Sequence, residues 1–170
     1  CKDKEFSGKG TTTGAQLFGQ NTCRGHGKYI VICEGELDCL SVAEMTSRKY
    51  DVVSLRNGAD KAGKGPLKEL QAQLEFLESY DTIVLAFDDD NVGRKATETC
   101  QDLFEPGKVR ILRSELKDAN AMLMAGKSAQ WINDFWEARP YTPAGIVAST
   151  DTWEHIVEYQ KVEAVAYPWD

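Results

Sequence analysis

An α/β fold, with a mainly parallel central sheet flanked by helices, is predicted for this chain on three observations. Two apolar runs end in acids: Tyr29-Ile30-Val31-Ile32-Cys33 leads into Glu34-Gly35-Glu36-Leu37-Asp38, and Ile83-Val84-Leu85-Ala86-Phe87 leads into Asp88-Asp89-Asp90. Runs of that length without alternation read as strands buried on both faces. Between and after them lie segments whose apolar residues recur every three or four positions, and strand alternating with helix over short loops makes a parallel sheet.

Taken in order, residues 1–28 are rich in Gly, Thr and Lys and read as mostly irregular, with one turn near 15–18. A strand at 29–33 precedes a helix at about 36–46, and a short strand follows at 52–55. A loop carrying Asn57-Gly58 and Gly63-Lys64-Gly65-Pro66 opens a helix at 66–79, since Pro is tolerated in a first turn. Leu67, Leu70, Leu74 and Leu77 give that helix a core-facing stripe. The strand at 82–87 is followed by a helix at 92–104 that Pro106-Gly107 stops, a strand at 108–112, and short helices near 119–124 and 129–138. Pro140, Pro143 and Gly145 mark a boundary, beyond which 151–160 reads as an isolated amphipathic helix with Trp153, Ile156 and Val157 on one side.

Composition narrows the classes. A chain of 170 residues with 42% hydrophobic and 28% charged content can bury the core of one medium globular domain. The net charge of −7 excludes a generally basic nucleic-acid coat, although acids at the centre of a phosphoryl-transfer site leave room for basic residues on its approach. Cys1, Cys23, Cys33, Cys39 and Cys100 form no CxxC pair, and His26 and His155 offer little help, which argues against a zinc site and for reduced thiols in a cytoplasm. No apolar run reaches membrane-spanning length and no signal peptide is visible. The chain begins at Cys1 without an initiator Met and is read as a piece of something larger.

The acids carry the chemistry. A single acid after a strand is usually a helix-start charge, and Asp88–Asp90 alone could be a solvated turn with Asn91 as cap. Together the two sets say more. Asp88 and Asp90 are two apart and can face one side of a strand end while Asp89 faces away, and Glu34 joins them from a neighbouring strand. Gly35 lets the chain turn sharply into its helix. Several carboxylates converging at the carboxyl edge of a parallel sheet suit a divalent cation, Mg²⁺ before others. Gly93-Arg94-Lys95 opens the next helix, where free amides and two cations suit a phosphate; the plain alternative is a pair of surface cations. Lys117-Asp118-Ala119-Asn120 reaches the same edge, with Asp118 or Asn120 as either a helix cap or a further oxygen ligand. Gly126-Lys127-Ser128 is no P-loop, because Ala121 stands where a Gly is needed.

The order Glu34-Gly35-x-x-Asp38, then Asp88-x-Asp90-x-x-Gly93-Arg94, resembles the TOPRIM domain of primases, topoisomerases and some nucleases. Lys2-Asp3-Lys4-Glu5-Phe6, Gln16-Leu17-Phe18-Gly19, Val53-Ser54-Leu55, Asn57-Gly58-Ala59, Pro106-Gly107-Lys108-Val109-Arg110 and Lys117-Asp118-Ala119-Asn120 are similar to the primase–helicases of T-odd phages and their mitochondrial relative Twinkle. That resemblance implies an end of a primase amino-terminal subdomain at 1–27, a TOPRIM catalytic domain at 28–140, and a linker helix with the start of a helicase domain at 141–170. It implies Glu34, Asp88 and Asp90 as catalytic metal-site acids, with Asp118 a further acid at the metals and Asp38 a supporting acid on the following helix. Lys4 is implied as a nucleotide or template contact, and Arg94, Lys95, Lys117 and Asp38 are expected beside it on the nucleotide and template side. Arg56 departs from the phage relatives, which usually carry a small residue there.

The expected function is therefore DNA primase, making short RNA primers on single-stranded DNA from ribonucleoside triphosphates with Mg²⁺, for which Mn²⁺ can substitute. The expected setting is the cytoplasm of an infected bacterium, beside a helicase domain that assembles as a ring in the parent chain. A non-catalytic Twinkle-like module that binds single strands is one alternative, which the intact acids disfavour. A TOPRIM nuclease is the other; a topoisomerase needs a nucleophilic Tyr in a separate domain.

Overall fold

The computed structural model describes residues 14–59 and 62–143, so Lys4, Trp153 and the 151–160 segment lie outside the described residues. Five strands, β1 (Tyr29–Cys33), β2 (Asp51–Ser54), β3 (Thr82–Ala86), β4 (Val109–Ile111) and β5 (Arg139–Pro140), form one sheet in the order β2-β1-β3-β4-β5. The first four are parallel, and β5 closes the edge antiparallel to β4. The helices are α1 (Glu36–Met45), α2 (Lys64–Gln71), α3 (Leu74–Glu78), α4 (Asn91–Cys100), α5 (Ala119–Met124) and α6 (Ser128–Trp136).

Successive strand residues point to opposite faces, and each face has its own core. Ile30, Ile32, Ile83 and Leu85 pack with Leu70, Leu77, Ala96 and Cys100 from α2, α3 and α4. Val31, Cys33, Val84 and Ala86 pack on the other side with Val42, Met45, Met122, Trp131 and Phe135 from α1, α5 and α6. Burial on both faces explains why β1 and β3 read as unbroken apolar runs. Cys33, Cys39 and Cys100 are buried thiols outside any disulfide, and Cys23 is half-buried. Among the described residues no helix is long and apolar enough to cross a membrane.

The path of the chain decides where a ligand can bind. From β1 it runs through α1 to β2 on one side, then returns past β1 to β3 and on to β4 on the other. The carboxyl ends of β1 and β3 therefore flank a topological switch point, where neighbouring connections diverge and leave a crevice.

Three features differ from the sequence expectations. The helix expected over 66–79 is two helices, because Gln73 leaves helical geometry at φ −120° and ψ 18°. Its side chain is engaged elsewhere, accepting from Gln20 Nε2 at 2.8 Å and donating to the Gly14 carbonyl at 3.3 Å. The leucine stripe survives the break, with Leu70 and Leu77 both fully buried. A two-residue edge strand that the sequence reading did not name ends at Pro140, where a missing N–H costs nothing, and the Tyr141 amide continues the pairing to Val109 at 2.9 Å. The turn expected near 15–18 falls a few residues later, at Gln20–Thr22, as a 3-10 turn. Ahead of it Phe18 and Ser54 exchange 3.1 Å backbone bonds that cover the outer edge of β2. Gly19 allows this close approach: it sits at φ 80°, and a Cβ there would lie 2.9 Å from the Val52 carbonyl.

Leu85 sits fully buried in the central strand, whereas Leu40 on α1 is 56% exposed. Leu85→Ala is expected to lower the free energy of urea unfolding by about 3 kcal/mol. Leu40→Ala should stay within about 0.5 kcal/mol of the parent. Equal losses would show that the two-sided burial of β3 is misassigned.

Candidate active site

Glu34 follows β1 directly, and its carboxylate is half-buried at the crevice. One oxygen, Oε1, accepts from the Ala59 amide at 3.2 Å. The other, Oε2, is buried with no hydrogen-bond partner. The loop that supplies Ala59 turns at Gly58, at φ 65°, and is tied down by Glu69 of α2. Glu69 accepts from the Arg56 amide at 2.9 Å and from Asn57 Nδ2 at 2.6 Å. Gly35, by contrast, is extended at φ −125° and ψ 164°, a conformation open to any residue, so the turn into α1 does not need a glycine's freedom.

The acids after β3 divide as their spacing predicts. Asp88 Oδ2 lies 2.9 Å from Lys117 Nζ, and Asp90 Oδ2 lies 3.4 Å from the same ammonium. Asp89 points elsewhere and pairs with Arg94 at 2.9 Å and Arg113 at 3.8 Å. Asp90 also caps α4, its Oδ1 accepting from the Val92 and Gly93 amides at 2.9 and 3.0 Å. The cap is thus Asp90 and not Asn91, and the amides expected to be free for a phosphate already have a partner. Gly93 brings α4 against the strand end: a Cβ there would fall 2.2 Å from the Asp88 carbonyl. Lys95 pairs with Glu98 at 3.1 Å. Exposed pairs such as Lys95–Glu98 and Arg94–Asp89 are weak and yield to a better anion.

Asp38 and Asp118 stand at the flank of the crevice. Asp38 Oδ1 accepts from the Asn120 amide at 3.0 Å, tying α1 to α5, and Asp118 caps α5 through Ala121 N at 2.7 Å. The Asp118 charge is close enough to push up the pKa of both Asp38 and Asp88.

Electrostatics mark the same residues. Burial, then the charges of Asp88 and Asp90, raise the Glu34 pKa above the ordinary value of 4.5, against the opposing amides of Ala59 and Asp88. Burial raises Asp88 as well, although the Lys117 ammonium works in the other direction. Asp90 is lowered, chiefly by the Gly93 amide. Lys117 is raised by Asp88 first and Asp90 after it. Carboxylates with their pKa values pushed apart in one cleft are a mark of a working site.

Among the described residues no three His, Cys, Asp or Glu side chains are gathered tightly enough to hold one metal ion as they stand. The donor set nevertheless fits a hard divalent cation. It is all oxygen, one buried oxygen of Glu34 lacks any partner, and Asp88 with Asp90 already share a cation in the form of Lys117. The structure thus brings Asp88, Asp90 and Lys117 together, with Glu34 and Asp118 near enough to be felt. The sequence reading missed the roles of the Ala59 amide, Glu69 and Arg113; the one local signal was the Asn57-Gly58 turn that precedes Ala59.

Fold and acids together define a TOPRIM-type domain, and the chain belongs to the Toprim-like family, which it matches over residues 31–123. Within that family it is similar to phage primase–helicases. It is 36% identical to the DNA helicase/primase of Enterobacteria phage T3 over 157 residues, 92% of this chain and 27% of that protein. The chain thus spans roughly a quarter of the length of that relative. The primase fragment of the bacteriophage T7 primase-helicase superposes with a TM-score of 0.69 at 37% identity, covering 79% of this chain and 54% of that one. A chain from the T7 lagging-strand DNA polymerase structure, which includes primase domains bound to an RNA/DNA hybrid and dTTP, gives 0.71 at 38% identity, covering 82% and 69%.

A carboxyl whose pKa is raised on folding holds its proton more tightly in the folded chain than in the unfolded one. The folded chain then gains on acidification and loses stability as pH rises through the folded pKa. Without divalent cations, Glu34→Gln should therefore melt higher than the parent at pH 7, and this advantage should vanish as pH falls below 4.5, where Glu34 is protonated in both states. Thermal melts across that range check it; an advantage independent of pH would contradict the assignment.

Proposed function

We propose that this chain is the catalytic core of a DNA primase, forming short RNA primers on a single-stranded DNA template by metal-dependent nucleotidyl transfer, within a primase–helicase. The observation that carries this reading is the buried, unpartnered Glu34 Oε2 beside an Asp88–Asp90 pair that shares one cation. The similarity to phage T3 and T7 proteins supports it, as does the RNA/DNA hybrid and dTTP in one T7 structure. On this reading residues 28–140 form the catalytic domain, preceded by the end of an amino-terminal subdomain and followed by a linker into a helicase that assembles as a ring.

Glu34, Asp88 and Asp90 would hold Mg²⁺ or Mn²⁺, with Asp118 at the flank. The bound ion supplies charge neutralisation at the triphosphate and acidifies the attacking 3′-hydroxyl. Glu34 is the nearby carboxylate that would accept the hydroxyl proton, through the oxygen that Ala59 leaves open. The Ala59 amide fixes its orientation from one side. Arg94, Lys95 and Lys117 can exchange their carboxylate partners for phosphate oxygens, with Arg113 beside Asp89 as a further candidate. Lys4 and Asp38 are assigned to the template and nucleotide side by resemblance.

Mn²⁺ should raise the melting temperature of the chain, because an ion that binds only the folded form stabilises it. Asp88→Asn and Glu34→Gln should lose most of that rise, and RNA synthesis on single-stranded DNA should fall about a hundredfold or more in each. An undiminished rise in both variants contradicts the site, and DNA cleavage in place of RNA synthesis would move the reading to a nuclease.

A further inference from the structure

We propose that Lys117 is a built-in counterion of the acid cluster: its ammonium holds Asp88 and Asp90 until a divalent cation replaces it, and then moves to the phosphates of the arriving nucleotide. This rests on the nucleotidyl-transfer reading and adds to it a positioning residue that couples the two ligands.

The geometry is that of a placeholder. Lys117 Nζ lies 2.9 Å from Asp88 and 3.4 Å from Asp90, and among the described residues these acids form ion pairs with no other side chain. Arg94 and Arg113, the other cations close by, are turned onto Asp89 instead. The Lys117 side chain is 56% exposed while that of Asp88 is 14% exposed, so the ammonium enters from the solvent side. Its backbone, however, is fixed. The Asp89 amide donates to the Lys117 carbonyl at 2.7 Å, and the next residue, Asp118, caps α5. With the main chain held at its own carbonyl and at the next residue, the four-carbon stem can swing the charge without moving the loop.

The charges explain why the ammonium is displaced. When ionised, Glu34, Asp88 and Asp90 carry three negative charges against the one on Lys117, and Glu34 Oε2 remains without a partner. A divalent cation matches that set better than an ammonium, and the released ammonium is then the nearest donor for a triphosphate. Free metal must compete with Lys117, whereas metal arriving with a nucleotide offers Lys117 a new partner. Linkage makes the effect reciprocal, so metal and nucleotide favour each other's binding.

The test compares the parent chain with Lys117→Met and Lys117→Arg. Free Mn²⁺ binding is followed by electron paramagnetic resonance, and binding of the Mn²⁺–ATP complex by calorimetry. Lys117→Met should bind free Mn²⁺ about fivefold more tightly and Mn²⁺–ATP more weakly, while Lys117→Arg keeps the parent's weak affinity for the free ion. A merely structural role would move both affinities in one direction. Free Mn²⁺ binding that is unchanged or weaker in Lys117→Met overturns the inference while leaving the metal site intact, provided the parent binding depends on Asp88. No Mn²⁺ binding by any of the three proteins overturns both.

Discussion

The edge of the sheet where β1 and β3 end concentrates carboxylates that the surrounding protein only partly neutralises, and the nearby chain is arranged around that imbalance. Asp88 is paired with Lys117. Asp90 is held by the amides that open α4, and Asp89 is paired with Arg94 and Arg113. Glu34 accepts one hydrogen bond, from the Ala59 amide on Oε1, and none on Oε2, with the Asp88 amide only weakly opposing its raised pKa. The pKa directions follow burial as well as partners: Asp90, held by the Gly93 and Val92 amides, is lowered, whereas burial raises Glu34 and also Asp88 despite Lys117. Leaving a buried carboxylate oxygen unpaired is costly. Such a cost persists at a place where a ligand removes it, and an oxygen-seeking cation is the ligand that this donor set suits.

The fold puts the imbalance where it is useful. Because β1 and β3 are adjacent but connect in opposite directions, their ends open a crevice instead of being roofed by a loop. Gly93 lets α4 approach until its backbone nearly touches that of Asp88, so the helix start and the strand end act as one rigid corner. Glu69 does the same for the loop that delivers the Ala59 amide. Function on this account resides in carboxylates held by rigid elements, with cations on flexible stems around them.

Much of this was legible in the sequence. β1 matches its expected span, and β3 falls one residue short of it at Phe87, because strands buried on both faces leave an uninterrupted apolar signature. The two-residue spacing of Asp88 and Asp90 foretold that they face one side and Asp89 another. The break at Gln73 was invisible because Leu70 and Leu77 keep helical spacing across it, while its cause is a glutamine contact with a segment more than fifty positions away. The edge strand at Arg139–Pro140 was hidden by its proline, whose boundary signal is stronger than any two-residue strand signal. Long-range partners were likewise out of reach: no local pattern states that Ala59 donates to Glu34, or that one lysine spans two aspartates.

The most direct measurement is the position of the metal itself. Crystals of the chain soaked with Mn²⁺ and a ribonucleoside triphosphate, examined by anomalous scattering, should show manganese within coordination distance of Glu34, Asp88 and Asp90, with Lys117 drawn away from both aspartates. Manganese absent from that crevice, or present only at the exposed acids elsewhere on the surface, would contradict the account.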